Sequence, residues 1–379
     1  MGGAVTYITN FLRNLPPPES GHQFLVILAA QTAATQPELP PNVKLLPTSI
    51  SYANGLKRLW WDQITLRRTL KEQQADVLFS TANFAMFRCP VPQVLLVRNA
   101  LYFSPLYQQT LLPRDTLRMR IAYHLRRWLI CRSAQRADRV MAPTQSMLDG
   151  LFRYVTLPRG KAFVNSHGVA YSFTSNGHRP SAVATTERHL TLLYVSLYSE
   201  HKNLRTALRA LPLLNSNHGS RRFELVTTAD PAWKGASWTV TWKSDLELSR
   251  SPEIQPWVKF IGPLDRAQTE RLYDEADILL FPSLVESFGM PMVEAMARGV
   301  PIVAADTPVN HEICAGAALY FSPLDPEDLA RQVRRLASDG PLRQELGAVG
   351  VERARARFQW GDHVKRLVEA CASLAGAKA

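Results

Sequence analysis

The 379-residue sequence is poor in cysteine and has no long apolar run, and both shortages restrict what the protein can be. Its four cysteines are scattered and form no C-x-x-C pair, a pattern typical of reduced thiols in a cytoplasmic protein. No run approaches the roughly 18 apolar residues of a membrane-spanning helix. No secretory signal is visible at the N-terminus. We therefore expect a cytoplasmic, globular protein.

Acidic residues are scarce in the first half of the chain. Residues 1–170 contain 20 Lys and Arg against 8 Asp and Glu, whereas residues 171–379 contain 24 of each class. The formal net charge of +12 therefore belongs entirely to the first half. This asymmetry predicts an anionic partner for the N-terminal half, and the length is sufficient for two domains.

One stretch in the second half combines a strand, a loop and a helix start. Residues 276–281 are an apolar run that suits a buried parallel strand. Gly289 allows a tight turn, and Pro291 suits the first position of a helix, where its missing N–H does no harm. Residues 292–298 then predict a helix that Gly299 ends.

Two carboxylates flank this predicted helix start. The free backbone amides of residues 288–292 make a seat for phosphate or hydroxyl groups. Glu286 in the loop and Glu294 in the helix are unsuited to phosphate but can accept hydrogen bonds from a sugar or a ribose. Taken singly, Glu294 is equally compatible with a role at the helix dipole, and Glu286 with a solvated loop.

The spacing of the two glutamates and their surroundings resemble a family signature. Glu286 and Glu294 enclose seven residues that include Ser-Phe-Gly-Met-Pro, with Ala-Asp before the strand and Ala-Met-Ala-Arg-Gly-Val-Pro after it. This resembles the E-x7-E signature of the family-4 (group 1) retaining glycosyltransferases of the GT-B fold. The resemblance implies an α/β protein with two Rossmann-like, doubly wound domains facing a cleft. It also implies a nucleoside-diphosphate sugar as donor, and no metal or other cofactor.

Alternating apolar runs and helical patterns independently predict parallel sheets with ligands at the carboxyl ends of strands. Residues 190–198 form one such strand, which leads through a loop to Lys202 and a helix start, a geometry that suits phosphate. Arg98 and Asn99 follow another strand and are candidate sugar contacts, on the acceptor or the donor. An ordinary polar strand end would look the same.

The resemblance assigns roles to individual residues. Lys202 and Glu286 are expected at the catalytic centre, Lys202 on the donor diphosphate and Glu286 on the donor sugar. Glu294 is expected to hold the ribose. The other donor-binding candidates are Phe288, Gly289, Met290, Pro291, Leu264, Gly2 and Gly3. Many members carry an arginine where this sequence has Leu197, so a second cation for the diphosphate must come from elsewhere.

The resemblance also predicts the domain boundaries. Residues 1–170 would form an acceptor-binding domain, 171–189 a linker, 190–360 a nucleotide-sugar domain, and 361–379 a helix packing back toward the N-terminal domain. In the family a strand precedes the Gly-Gly loop, which here is Gly2-Gly3. We therefore expect the first N-terminal strand to be missing from this chain.

Residues 114–139 form the most basic stretch, with eight arginines. Apolar residues at helical spacing lie among them: Leu117, Ile121, Leu125, Trp128 and Leu129. The pattern predicts a long amphipathic helix that could lie on anionic lipid, each basic residue contributing on the order of 1 kcal/mol near the surface. A nucleic-acid contact or a solvated helix packed on the sheet are the alternatives.

Together these features predict transfer of a hexose, with retention, to a hydroxyl of a glycan or lipid-linked acceptor in envelope or exopolysaccharide synthesis. The protein would be cytoplasmic, or peripheral on the inner face of the cell membrane. A non-catalytic GT-B binding protein is an alternative. A nucleic-acid-binding protein would explain the charge but not the paired glutamates, so we expect no nucleic acid. A glycan phosphorylase would share the fold, but its cofactor lysine site is not recognisable.

Overall fold

The computed structural model describes the chain except residues 1–2, 37, 51–54, 82, 170, 172, 174–188, 217–220, 233–240 and 377–379. The chain divides into two compact units. The larger unit comprises Ala100–Tyr123 and Val169–Gln359, and the smaller unit comprises Gly2–Asn99, His124–Gly168 and Trp360–Ala379.

The described strands are β1 (Phe24–Ala29), β2 (Val43–Thr48), β3 (Leu78–Ser80), β4 (Gln93–Leu96), β5 (Arg139–Ala142), β6 (Ala162–Val164), β7 (His189–Tyr194), β8 (Arg222–Thr227), β9 (Val258–Phe260), β10 (Ile278–Phe281), β11 (Ile302–Ala305) and β12 (Ala318–Phe321). The helices are α1 (Gly3–Arg13), α2 (Ala30–Ala34), α3 (Gly55–Gln63), α4 (Thr65–Glu72), α5 (Pro105–Thr110), α6 (Leu117–Arg136), α7 (Gln145–Phe152), α8 (Leu204–Asn215), α9 (Trp242–Ser249), α10 (Arg266–Glu275), α11 (Met290–Ala297), α12 (Pro308–Cys314), α13 (Pro326–Ser338), α14 (Gly340–Arg357) and α15 (Trp360–Gly376).

The larger unit is built on a six-stranded parallel sheet in the order β12-β11-β10-β7-β8-β9. β10 and β11 are buried along their whole length, as strands covered by helices on both faces must be. The chain runs outward from β7 in one direction and from β10 in the other. The sheet therefore reverses its order between these two neighbours, and the carboxyl ends of β7 and β10 are where a doubly wound sheet binds ligands.

The smaller unit contains a parallel sheet in the order β3-β4-β5-β6 and a separate parallel pair, β1 and β2. Helix α15 belongs to this unit, and its His363 joins distant parts of the chain. The Tyr7 hydroxyl lies 3.0 Å from His363 Nε2, and the Asn165 side-chain amide donates to the His363 carbonyl at 2.9 Å. Burial lowers the pKa of His363 to about 4, so this imidazole is neutral at physiological pH.

Parallel α/β architecture is confirmed, but the predicted start of one helix was wrong in detail. Helix α11 begins at Met290, so Pro291 occupies its second position, which lacks an intrahelical N–H bond just as the first does. The first described element is α1, beginning at Gly3, and a short 3-10 turn, Pro18–Ser20, lies between it and β1.

Candidate functional site

The loop after β7 presents Lys202 through a tightly held backbone. A short 3-10 turn, Glu200–Lys202, ends at Asn203, which takes the left-handed conformation at φ 59° and precedes α8. The Tyr194 hydroxyl, on the buried end of β7, donates to the Lys202 carbonyl at 2.6 Å. Hydrogen bonds therefore hold the main chain at Lys202, which sets the direction in which its side chain leaves the loop.

The loop after β10 turns sharply at Gly289 before α11 begins. Gly289 has φ 86°, and a Cβ atom there would lie 2.4 Å from Met292 Cε and 3.2 Å from Phe281 Cζ. Any other residue would be strained and crowded at this position. The turn therefore needs glycine, as the sequence predicted, and it delivers the first amides of α11 at the carboxyl edge of the sheet.

The two loops are hydrogen-bonded to each other. The Leu284 amide donates to the His201 carbonyl at 2.9 Å. The Asn203 side-chain amide donates to the Pro282 carbonyl at 3.1 Å. Buried backbone groups that find partners in the neighbouring loop stabilise a single arrangement of both loops.

Lys202 and Glu286 meet within this frame. The Lys202 ammonium donates to Glu286 Oε1 at 2.5 Å, and the two side chains are only 25% and 11% exposed. The two residues that the sequence singled out as catalytic are thus in direct contact. Because the pair is partly desolvated, its attraction is stronger than that of a surface ion pair.

Glu294 lies on α11 and is almost fully buried, with 6% exposure. The Tyr273 hydroxyl donates to Glu294 Oε2 at 2.8 Å. Burial raises the pKa of Glu294 to about 7, opposed by the Tyr273 hydrogen bond and the charge of Arg266. The carboxyl can therefore be ionised near neutral pH and accept hydrogen bonds from a ligand, although its site disfavours the charge.

Other donor-site candidates take differing positions in the larger unit. The Phe288 ring is buried and packs edge-on against Phe358 at 5.5 Å between centroids, so its side chain is not available to a ligand. Met290 and Pro291 are half-buried in the first turn of α11. Leu264 is half-buried in the loop that follows β9.

The remaining candidates belong to the smaller unit or fall outside the described residues. Arg98 and Asn99 follow β4, and both of their amides donate to Asn83 Oδ1, at 2.7 and 3.0 Å. Burial lowers the pKa of Arg98, whose guanidinium lies 5.9 Å from the Tyr7 ring. Gly3 is the first residue of α1, and Gly2 lies outside the described residues.

Sequence reasoning missed a buried network that supports the Lys202 loop. The Tyr198 hydroxyl donates to Asp245 Oδ2 at 2.6 Å, and Arg205 Nε donates to Asp245 Oδ1 at 2.6 Å. Tyr198 lies in the loop that carries Lys202, and Asp245 lies on α9. The signal available in the sequence was the position of Asp245, three residues from both Trp242 and Leu248, a spacing that is typical of a helix.

A further cation approaches the same loop. Arg114 Nη1 lies 3.7 Å from Glu200 Oε1, two residues before Lys202, whereas Leu197 is 40% exposed and carries no charge. Nearby, Leu111 packs with Leu284 and Val285. Arg114 thus places a basic side chain beside the loop in which Leu197 supplies none.

Within the part of the chain that the structure describes, no group of three or more His, Cys, Asp or Glu side chains is placed to hold a metal ion. The prediction that the protein needs no metal or other cofactor stays a prediction. A search of the described helices for one long and apolar enough to cross a membrane found none.

The fold and this site define the chain as a GT-B protein. It superposes on sucrose-phosphate synthase from Thermosynechococcus elongatus with a TM-score of 0.77 and 17% identity, covering 99% of this chain and 94% of that one. It superposes on Anabaena Alr3699/HepE in complex with UDP-glucose with a TM-score of 0.72 and 20% identity, covering 99% and 97%.

The sequence identifies the family within that fold. The family model described as Glycosyltransferase Family 4 matches residues 1–173, and the one described as Glycosyl transferases group 1 matches residues 180–353. The chain belongs to the group 1 glycosyltransferases. It is 26% identical over 178 residues to the O-antigen chain mannosyltransferase B of Escherichia coli, covering 47% of this chain and 44% of that protein. Its matches span about half the length of the first curated relatives.

Proposed function

We propose that the protein transfers a hexose from a nucleoside-diphosphate sugar to an acceptor hydroxyl, with retention of anomeric configuration. The observation that carries this proposal is the contact of Lys202 with Glu286 at the point where the sheet reverses its order. A cation for a diphosphate and a carboxylate for sugar hydroxyls meet there, beside the first turn of α11. A nucleoside-diphosphate sugar needs both groups.

Each residue of the larger unit has a role in this proposal. Lys202 and the backbone amides of Gly289 and Met290 neutralise the charge that develops on the leaving diphosphate, the largest electrostatic demand of the transition state. Pro291 has no N–H, and the Met292 amide already donates to the Gly289 carbonyl at 3.0 Å. Glu294 accepts hydrogen bonds from the ribose, and Glu286 orients the donor sugar. We assign Glu286 no nucleophilic role, because the front-face mechanism favoured for this family lets a donor phosphate oxygen take the acceptor proton and needs no protein nucleophile.

The sequence relatives bear on the biological setting. One relative is an O-antigen chain mannosyltransferase, and one structural neighbour is complexed with UDP-glucose. We infer that the acceptor is a glycan or a lipid-linked glycan of the cell envelope or an exopolysaccharide. The protein would then work in the cytoplasm at the inner face of the membrane. In this scheme residues 1–170 bind the acceptor, with Arg98 and Asn99 as contacts, and residues 190–360 bind the donor.

Thermal melting against a panel of nucleoside diphosphates tests the donor site. A ligand that binds only folded protein raises its stability by about 2.7 kcal/mol at a hundred times its Kd. We expect one nucleotide to raise the melting temperature of the wild type and of the control Lys259→Ala, an exposed lysine on β9. The same nucleotide should raise the melting temperature of Lys202→Ala only slightly. A shift that survives in Lys202→Ala would contradict the proposed role of Lys202.

The bound nucleotide then selects the sugar donors to assay for turnover. Proton NMR of the first product formed gives its anomeric configuration, which should match that of the donor. Activity should persist with EDTA, because the proposal assigns diphosphate neutralisation to Lys202 and backbone amides. Product of inverted configuration would refute retention, and nucleotide binding without turnover on any glycan or lipid-linked acceptor would favour a non-catalytic binding protein.

A further inference from the structure

Helix α6 carries apolar side chains on two opposite sides. One side is buried and includes Tyr123, Ile130, Cys131 and Ala134. The other side is exposed: Leu117, Ile121, Leu125 and Trp128 are 71, 61, 54 and 57% exposed. Their intervals of four, four and three residues align them along one face of the helix. Because α6 is one continuous helix, this alignment is set by the helix itself.

Such a stripe is unusual on a globular protein. Single exposed apolar residues are common and need no explanation. Four large ones in a row, covering three helical turns, form a contiguous patch of the kind that marks an interaction site. The buried side of α6 already supplies the packing that holds the helix in the fold, so the fold does not need the outer stripe.

The charges around the stripe are all of one sign. Between Thr116 and Ala137 the sequence contains no Asp or Glu and six arginines. Five of these arginines are exposed: Arg118, Arg120, Arg126, Arg132 and Arg136. The Arg132 guanidinium lies 6.0 Å from the Trp128 ring, which places a cation directly beside the apolar stripe.

We propose that the outer face of α6 docks the protein on a membrane of anionic phospholipid. The apolar stripe would enter the boundary between headgroups and acyl chains, and the arginines would contact lipid phosphates. A nucleic acid would use the arginines but leave the stripe in water. A second copy would bring the arginines of two helices together, and like charges facing each other disfavour that arrangement.

The docking proposal gives the transferase proposed above a membrane on which to act. It rests on that proposed function only for the biological purpose of docking, and its physical evidence is independent. Lipid binding is measured without donor or acceptor, whereas nucleotide binding is measured without lipid. A failure of one proposal therefore remains distinguishable from a failure of the other.

Co-sedimentation with vesicles of phosphatidylglycerol and phosphatidylcholine tests the surface. Two variants probe its two components: Ile121→Asn/Leu125→Asn for the stripe, and Arg118→Gln/Arg126→Gln for the charge. Matched controls are Val349→Asn, an exposed apolar residue on α14, and Arg209→Gln/Arg271→Gln, which removes the same charge from exposed sites on α8 and α10. Cooperative thermal unfolding without any ligand confirms that each variant retains its fold.

We expect the wild type and both controls to bind vesicles rich in phosphatidylglycerol, and to bind pure phosphatidylcholine much more weakly. The partition coefficient of each α6 variant between vesicles and water should be at least about tenfold lower than that of the wild type. Two arginines at about 1 kcal/mol each imply a loss of this size. Trp128 fluorescence should shift to the blue on binding, a shift that Trp128→Phe removes.

The proposal would be overturned if the controls lost as much vesicle binding as the α6 variants. It would also be overturned if the folded wild type did not bind the vesicles. Sedimentation velocity without lipid separates the case of a second copy: a dimer abolished by Ile121→Asn/Leu125→Asn would replace the membrane as occupant. Retention on DNA or RNA lost only in the arginine variant would indicate nucleic acid instead.

Discussion

Replacing Glu294 by glutamine should stabilise the protein at alkaline pH while removing nucleotide binding. The raised pKa means that the folded state holds the Glu294 proton more tightly than the unfolded state does. Between pH 4.5 and about 7 the contribution of Glu294 to the stability of the wild type therefore falls as the pH rises. Above pH 7 the whole penalty of the buried charge is present, and Glu294→Gln removes it while keeping an acceptor for Tyr273.

The size of the effect follows from the pKa. A rise from 4.5 to about 7, at 1.36 kcal/mol for each pKa unit, corresponds to about 3 kcal/mol. For a compact unit of the size of the larger one, this difference in unfolding free energy shifts the melting temperature by roughly 5 to 10 °C. At pH 5 wild type and Glu294→Gln should melt almost together, because both carry a neutral group at this site.

The assay is thermal and urea unfolding of both proteins from pH 5 to 8.5, with exposed Glu253→Gln as the control. Glu253→Gln should follow the wild type at every pH. If Glu294→Gln is no more stable than the wild type at pH 8, the ionised Glu294 carboxylate does not destabilise the folded state, and the reasoning is refuted. If Glu294→Gln keeps the nucleotide-induced melting shift, this residue does not hold the ribose.

Three further predictions concern the supports of the site and the smaller unit. Asp245→Asn weakens hydrogen bonds to an ionised acceptor, so urea unfolding should show a loss of about 2 kcal/mol, and nucleotide affinity should fall as the Lys202 loop loosens. The contribution of His363 to stability should fall by about 3 kcal/mol between pH 6.5 and pH 4, since the pKa of this residue is lowered to about 4; the difference in unfolding free energy between the wild type and His363→Gln, measured by urea unfolding at each pH, should change by that amount. Gly347→Ala would place a Cβ atom 2.5 Å from the Gly299 carbonyl oxygen and should cost about 1–3 kcal/mol by urea unfolding, with nucleotide affinity unchanged.

Much of the candidate site could be predicted because its residues are defined by local sequence. An apolar run, a glycine that permits a positive φ and an early proline define β10, the turn and α11, and they place Glu286 and Glu294 without any long-range information. The contact of Lys202 with Glu286 follows once β7 and β10 are neighbours, which parallel topology favours.

Interactions between distant segments could not be predicted in the same way. Asp245 meets Tyr198 and Arg205 because α9 packs over the β7 loop, and no local pattern reports that packing. The exposure of Leu117 and Ile121 is a similar case, since helical spacing alone does not say which of two apolar faces of α6 is buried. Tertiary contacts decide both the partners of Asp245 and the exposed face of α6.

The position of β7 has a consequence for how the protein is made. β7 is central in the finished sheet, and its β10 neighbour brings Glu286 to Lys202 from 84 residues further along the chain. At 5 to 20 residues per second, a ribosome needs roughly 4 to 17 s to synthesise that interval. During those seconds β7 to β9 can pair, but β7 remains an apolar edge strand, open to other nascent chains. The same strand order that brings Lys202 to Glu286 thus makes the incomplete chain prone to aggregation until β10 has emerged.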